Sequence, residues 1–159
     1  MELTYAQKLT LRAAITADPQ LNVFPTNSDG ADAIAKLLNL DAVPTYIVYK
    51  SAVTLNEIMS NGFRWTDVDG LTAQKYRTWE TMVALGTINP SRINVRQGVK
   101  DCWGDGSLQE VAILPHFKRS ATRGEKILAT GLGTTLAPSN MGAEGKLTYQ
   151  EIEEVRGTV

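Results

Sequence analysis

Five times along this sequence a Ser or Thr stands three residues ahead of a Glu or Gln: Thr4 before Gln7, Thr54 before Glu57, Ser107 before Glu110, Thr122 before Glu125 and Thr148 before Glu151. In a capping box the hydroxyl accepts the N–H three residues on, and the Glu or Gln side chain accepts the N–H of the capping residue. Two orphaned donors of a helix start are satisfied at once. Four of the pairs head a run with helical apolar spacing, and Thr122 with Glu125 falls in a stretch where helix is expected to have begun already. The runs are soon stopped by Pro, Gly or Asn. A chain punctuated in this way folds as many short helices. No alternation of strands and helices is present, which argues against Rossmann, P-loop and TIM-barrel architectures.

The spacing predicts a first helix over 5–17, with Leu11, Ala14 and Ile15 on one face and Asp18-Pro19 as the stop. A second covers 31–38, where Ala31, Ile34, Ala35 and Leu38 fall at i, i+3, i+4 and i+7. Residues 45–49 are β-branched and aromatic and suit a short strand. A third helix over 55–59 ends near Asn61-Gly62. The fourth and longest starts between Asp67 and Leu71 and ends at Gly86, with Tyr76 and Trp79 read as core. The fifth starts at Asn89-Pro90, Asn as the cap and Pro in the first helical position, and buries Val95, Val99, Cys102 and Trp103. The sixth starts at Ser107 and carries Leu108, Val111 and Ala112 before Pro115 kinks or breaks it. The last covers 149–156, with Tyr149, Ile152 and Val155 as a small apolar face.

Residues 129–145 differ in texture: four glycines (Gly131, Gly133, Gly142, Gly145), one proline and a single charge, Glu144. They read as an extended arm or a long loop, with a β-hairpin around Gly131 to Leu136 as one form, longer than connections in a compact domain usually are. The expected architecture is mainly α: a compact bundle of six or seven short helices with a glycine-rich arm or hairpin near the C-terminus. Its divisions are a helical domain over 1–128, a glycine-rich arm or loop over 129–147, and a C-terminal helix over 148–159 that belongs to the same domain.

The chain has 159 residues, enough for one domain or at most two, and its 43% apolar and 21% charged residues are those of a globular protein. One cysteine and one histidine exclude an intrachain disulfide and a histidine-based metal cluster. The spacing places Cys102 on a buried helix face, where a thiol is no nucleophile. His116 lies between Pro115 and Phe117 and reads as a packed or surface residue. Gly131-Leu132-Gly133 has no strand before it and no Lys-Ser or Lys-Thr after it, so it is not a phosphate-binding loop. Asp67 and Asp69 suit a helix start better than a metal pair. No catalytic residue, metal or cofactor is expected, and the chain is not read as an enzyme.

The charged residues offer one feature. The span 92–126 holds seven basic and four acidic residues. Arg92, Arg96 and Lys100 lie at i, i+4 and i+8 on one helix face; Lys118, Arg119 and Arg123 form a second basic group in which the arginines are spaced i, i+4. Such rows are solvated faces or surfaces for an acidic partner. With no helix-turn-helix or zinc-finger pattern, sequence-specific nucleic-acid binding is not expected. No run approaches the ~20 apolar residues of a membrane span. The start lacks the basic and apolar pattern of a secretory signal, and a lone cysteine fits synthesis in a reducing cytoplasm. Tyr46 and Tyr49 are either core residues or interface anchors.

Several stretches, taken in order, resemble a known group. They are Leu11-Arg12-Ala13-Ala14-Ile15 with Asp18-Pro19; Ile88-Asn89-Pro90-Ser91 with Asn94-Val95-Arg96; Lys118-Arg119-Ser120-Ala121-Thr122-Arg123-Gly124-Glu125-Lys126; Ala129-Thr130-Gly131; and Gly142-Ala143-Glu144-Gly145-Lys146-Leu147-Thr148-Tyr149-Gln150-Glu151. In this order they resemble small structural and morphogenesis proteins of tailed bacteriophages and prophages. The resemblance implies a virion component, assembled in the host cytoplasm, in the tail or the head–tail connection (neck). Its partners would be copies of itself in a ring or lattice and other phage structural proteins. Alternatives are a capsid decoration protein, or a non-virion phage factor that binds and inhibits a host protein. The residues expected at the contacts are Arg92, Arg96, Lys100, Lys118, Arg119, Arg123, Gly131, Leu132, Gly133, Leu136 and Met141, with the glycine-rich arm ordered only on meeting a neighbour.

Overall fold

The structure, a computed structural model, describes residues 1–60 and 62–157. In chain order its elements are α1 (Tyr5–Ala17), α2 (Ser28–Leu38), β1 (Ile47–Tyr49), β2 (Val53–Thr54), α3 (Leu55–Ile58), α4 (Trp65–Asp69), α5 (Ala73–Val83), β3 (Thr87–Ile88), α6 (Ile93–Trp103), α7 (Leu108–Ile113), a 3-10 turn (Leu114–Phe117), β4 (Lys118–Ser120), α8 (Arg123–Leu128) and α9 (Tyr149–Gly157). About half the chain is helical, so the fold is mainly α as expected. Among the described residues it has nine short α-helices where six or seven were expected. The sheets are two strand pairs, β1 with β4 and β2 antiparallel to β3.

The chain divides into two units, Met1–Val48 with Ser120–Val159, and Tyr49–Arg119. Both division points lie within residues 1–128. Unit 1 is organised by the predicted stripe on α2: Ala31, Ile34, Ala35 and Leu38 are all buried. They form one cluster with Leu11 and Ile15 of α1, Leu128 of α8, and Ile152 and Val155 of α9. Each fully buried aliphatic side chain here contributes about 1.5–3 kcal/mol relative to exposure. Capping sets the ends. Thr4 with Gln7, and Thr122 with Glu125, form complete capping boxes. The second of these opens α8 rather than lying inside a helix already begun, because β4 occupies the residues before it. Asn27 caps α2 three residues earlier than the apolar stripe suggests, by accepting the Gly30 N–H at 2.9 Å.

Unit 2 is built around aromatic rings. Phe63, Trp79 and Trp103 meet within one cluster that includes Val99, Cys102, Ile113 and Phe117. Trp79 and Trp103 cross edge to face, with centroids 5.2 Å apart, the arrangement ring quadrupoles favour. Four expectations fail in this unit. The single long helix is two, α4 and α5, because Thr72 caps a new start by accepting the Lys75 N–H. Tyr76 is 43% exposed, and Trp79 is the only fully buried residue of α5. Asn89 does not cap α6: its side chain accepts the Ser91 N–H and hydroxyl, forming a turn that delays the helix to Ile93. The third helix ends at Ile58; Asn61, named in that expectation, lies outside the described residues.

The fourth failure is a reversal of α7. Leu108 and Val111, read as its apolar face, are 66% and 56% exposed, while Gln109, Glu110 and Ile113 are buried. Polar anchors turn the helix. Gln109 Oε1 accepts the Arg64 N–H at 2.7 Å, and Glu110 accepts the Gly106 N–H at 2.6 Å. These side chains satisfy backbone donors of the irregular segments beside α7, a need that outranks two leucine-sized contacts in a six-residue helix. Ile113→Ala should therefore lower unfolding free energy by about 2–5 kcal/mol, and Val111→Ala should change it by less than about 0.5 kcal/mol. Urea denaturation of both variants checks this; equal losses would restore the original face.

At the start of α3 the Thr54–Glu57 box is complete, and Lys50 pairs with the same carboxylate at 3.0 Å. The Thr54 backbone N–H, then the Lys50 ammonium and the Thr54 hydroxyl, hold the Glu57 carboxyl at about 2, against 4.5 unperturbed. The folded-state value is the lower one, so the stabilising contribution is complete above about 4.5 and is lost as pH falls toward about 2. A carboxyl-carbon NMR titration should place the Glu57 midpoint near 2; a midpoint at 4.5 would mean the box is open in solution.

Candidate interaction surface

Residues 129–147, expected as an arm, a loop or a hairpin, carry no strand or helix of their own up to Leu147. They are a loop tied onto their own unit. The first anchor is Tyr46. Its hydroxyl donates to the Gly131 carbonyl at 2.8 Å and accepts from the Ser139 hydroxyl at 2.7 Å, joining both sides of the loop to one ring. Beside it, Ile47 N–H donates to the Gly133 carbonyl at 2.8 Å and Ser139 N–H to the Ile47 carbonyl at 2.9 Å. Thr130 and Asn140 exchange both backbone bonds and close the neck. Gly133 lies against the Tyr46 ring with φ +65°, and any Cβ there would run into that ring, so only glycine lets the loop seat. Residues 130–140 thus form an Ω-type loop.

At the tip the Thr134 N–H donates to the Ala137 carbonyl, and the Ala137 N–H to the Thr134 hydroxyl. This turn carries Leu132 and Leu136, which are 76% and 97% exposed. The descending limb is also held. Gln7 Nε2 donates to the Gly142 carbonyl, Gly145 N–H donates to Glu125, and Asn39 exchanges two 2.8 Å bonds with the backbone of Leu147. Met141 is half-buried. Each of these bonds comes from the loop's own unit.

The basic residues mostly serve the fold. Arg96 does not present its charge outward: its guanidinium bonds the Pro90 and Ser91 carbonyls and lies 3.9 Å from the Tyr49 ring centroid. Lys100 pairs with Asp105 at 2.8 Å, and that hydrogen bond raises its pKa. Arg92, at the start of α6, is exposed. Lys118 and Arg119 lie in β4, half-buried and engaged with other groups. Arg123 opens α8 and pairs with Asp18 at 2.8 Å. Arg119 and Arg123 share no helix face, because a strand ends between them. Of the two tyrosines left open as core or interface, Tyr46 anchors the loop and Tyr49 lies under Arg96.

Cys102 is buried in α6, as its spacing indicated; burial, then the Asp101 charge, pushes its thiol pKa up. His116 sits half-buried in the 3-10 turn. Among the described residues no group of three His, Cys, Asp or Glu side chains is placed to hold a metal ion, and no helix is long and apolar enough to cross a membrane. Of the anchors, Tyr46 stands out in the sequence as a core or interface residue and Glu125 as a capping partner, but neither is linked there to the loop, and Asn39 and Ser139 are not marked as anchors at all. Local spacing gives no sign of this, since the bonds that hold the loop join residues as far as 135 positions apart.

Tyr46→Phe keeps the ring but strands the buried Ser139 hydroxyl and the Gly131 carbonyl. It should cost about 1–2 kcal/mol in urea denaturation and speed hydrogen exchange at the Ile47 and Ser139 amides; unchanged exchange would mean the loop is not pinned by this hydroxyl. Set against protein-family models, curated proteins and solved structures, the chain matches none, so a functional reading rests on its residues and this geometry.

Proposed function

We propose that the protein is a structural component of a tailed-phage virion, in the tail or the head–tail connection, that acts through protein–protein contact with the 130–140 loop as its contact element. The observation that carries this reading is the pairing of rigidity with apolar exposure. A loop held at its neck by Tyr46 and by the Thr130–Asn140 bridge presents two leucines to solvent at its tip. Docking a preordered loop avoids most of the entropy that ordering a free arm would cost. Burying Leu132 and Leu136 on a partner would return roughly 1.5–3 kcal/mol each. The resemblance to phage morphogenesis proteins supplies the setting.

Charge supports self-association as one form of that contact. Unit 1 holds seven basic and ten acidic residues, net −3, and unit 2 nine basic and seven acidic, net +2. Unlike units of two copies therefore attract, which favours head-to-tail contacts of the kind that close into rings. Leu132→Asp with Leu136→Asp should leave the circular dichroism spectrum and melting temperature of the isolated protein unchanged, because both side chains are exposed. The same variant should be lost from purified particles by quantitative mass spectrometry. Incorporation at the wild-type level would overturn the reading, and absence of the wild-type protein from particles would favour the host-binding alternative. Cryo-EM density on the tail axis, rather than on capsid symmetry, separates the neck or tail from decoration.

A further inference from the structure

Unit 1 contains a second feature, away from the residues assigned above. A cavity of about 200 Å³ is lined by Arg12, Ile15, Thr16, Asn22, Thr26 and Arg156. Two guanidinium groups share this small space, and no carboxylate lines it. Their states differ. Arg156 is fixed: it donates to the Pro25 carbonyl at 2.6 Å, the Phe24 carbonyl at 2.9 Å and the Thr26 hydroxyl at 3.3 Å. Arg12 is half-buried on α1, and its guanidinium has no hydrogen-bond or ion-pair partner among the described residues. Arginine side chains withdrawn this far from water usually carry an acceptor.

An inventory of the lining shows what is missing. Thr16 spends its hydroxyl proton on the Arg12 carbonyl, and Asn22 spends one amide proton on the Thr16 carbonyl. That leaves the Thr26 hydroxyl proton, the second Asn22 amide proton, the remaining N–H groups of Arg156 and all five of Arg12. Against these stands one strong side-chain acceptor not already engaged, the Asn22 carbonyl oxygen. Glu153 lines a neighbouring cavity that shares Thr26 and Arg156, and it accepts the Ser28 hydroxyl at 2.6 Å; it does not line the space that Arg12 enters. A donor-rich, doubly cationic space of this volume suits one small group with several acceptor oxygens, and forked guanidinium donors match such a group bidentately.

We propose that Arg12, Arg156, Asn22 and Thr26 form an oxyanion-binding site that takes a single phosphate or carboxylate group. The site is independent of the loop contact and stands or falls apart from it. The volume of about 200 Å³ admits one such group with its water. Arg156 is the preorganised wall, and Arg12 is the arm that folds onto the bound anion.

The test is an NMR titration of the folded protein with inorganic phosphate and, separately, with acetate, at constant ionic strength set with chloride, up to about 50 mM anion. The side-chain signals of Arg12 and Asn22 and the amides of Thr16 and Thr26 should shift saturably. Arg12→Gln, an exchange on a half-buried helix face that keeps the rest of the lining, should weaken binding by about tenfold or more, and Arg12→Lys should restore part of it. Saturation with phosphate alone identifies a phosphoryl ligand, and saturation with acetate alone identifies a carboxylate, such as an acidic side chain of a partner. Shifts that stay linear for both anions, or binding to Arg12→Gln equal to wild type, would overturn the proposal. Thr26→Val, which removes one donor and the acceptor of one Arg156 N–H but no charge, guards against misfolding of the arginine variant: it should weaken binding while leaving the Arg12 signals of the free protein in place.

Discussion

About half of this chain lies outside helices, and every N–H and C=O in that half needs a partner that a helix would have supplied. Side chains meet the demand. Asn39 holds both backbone groups of Leu147, Tyr46 bridges Gly131 and Ser139, Gln109 takes the Arg64 N–H, and Arg156 and Arg96 each donate to two carbonyls of a preceding turn. The apolar clusters give each unit its cohesion, but these long-range clamps decide which way short helices face and where loops lie. Each is worth only about 1 kcal/mol net, and more when broken, since the stranded group stays buried.

That division explains what could be read in advance. The starts of α1 and α3 and the buried stripe of α2 follow from caps and apolar spacing between near neighbours, whereas the start of α8 at Thr122 shows only once β4 is seen to occupy the residues before it. The orientation of α7 does not, because Leu108 and Val111 fit a helical face as well as Gln109 and Ile113 do, and the bonds from Arg64 and Gly106 that choose between them come from outside the helix. Asn89 misled for a related reason: an Asn ahead of Pro serves a turn or a cap equally well, and Ser91 decides for the turn. The glycine-rich stretch read as a free arm because its composition lacks apolar periodicity. Its glycines are there for close approach, Gly133 to a tyrosine ring and Gly142 to the Leu128 carbonyl.

The basic residues carry a similar lesson. A row at i, i+4 and i+8 suggests a charged face, yet an arginine has five donors and a long stem, and in a protein rich in irregular backbone it is drawn to nearby carbonyls. Arg96 and Arg123 act inside their own units, and only Arg92 of the α6 row is left exposed. Counting charges along a helix therefore overstates the field such a helix presents to a partner. In contrast, Arg12 attracts no notice in the sequence, because what marks it is the company it keeps across the fold.

Unit 2 is one continuous stretch of chain, while unit 1 is made from pieces that precede and follow it. On the ribosome, Trp79, Trp103 and Phe117 can come together as soon as residue 119 has emerged. The stripe on α2 must wait through more than a hundred further residues for α9. During that interval the nascent chain carries Ile34 and Leu38 without the α9 residues that complete their cluster, so all residues of unit 2 are available before all those of unit 1. The stretch of translation in which this polypeptide most needs a chaperone is thus written into its topology.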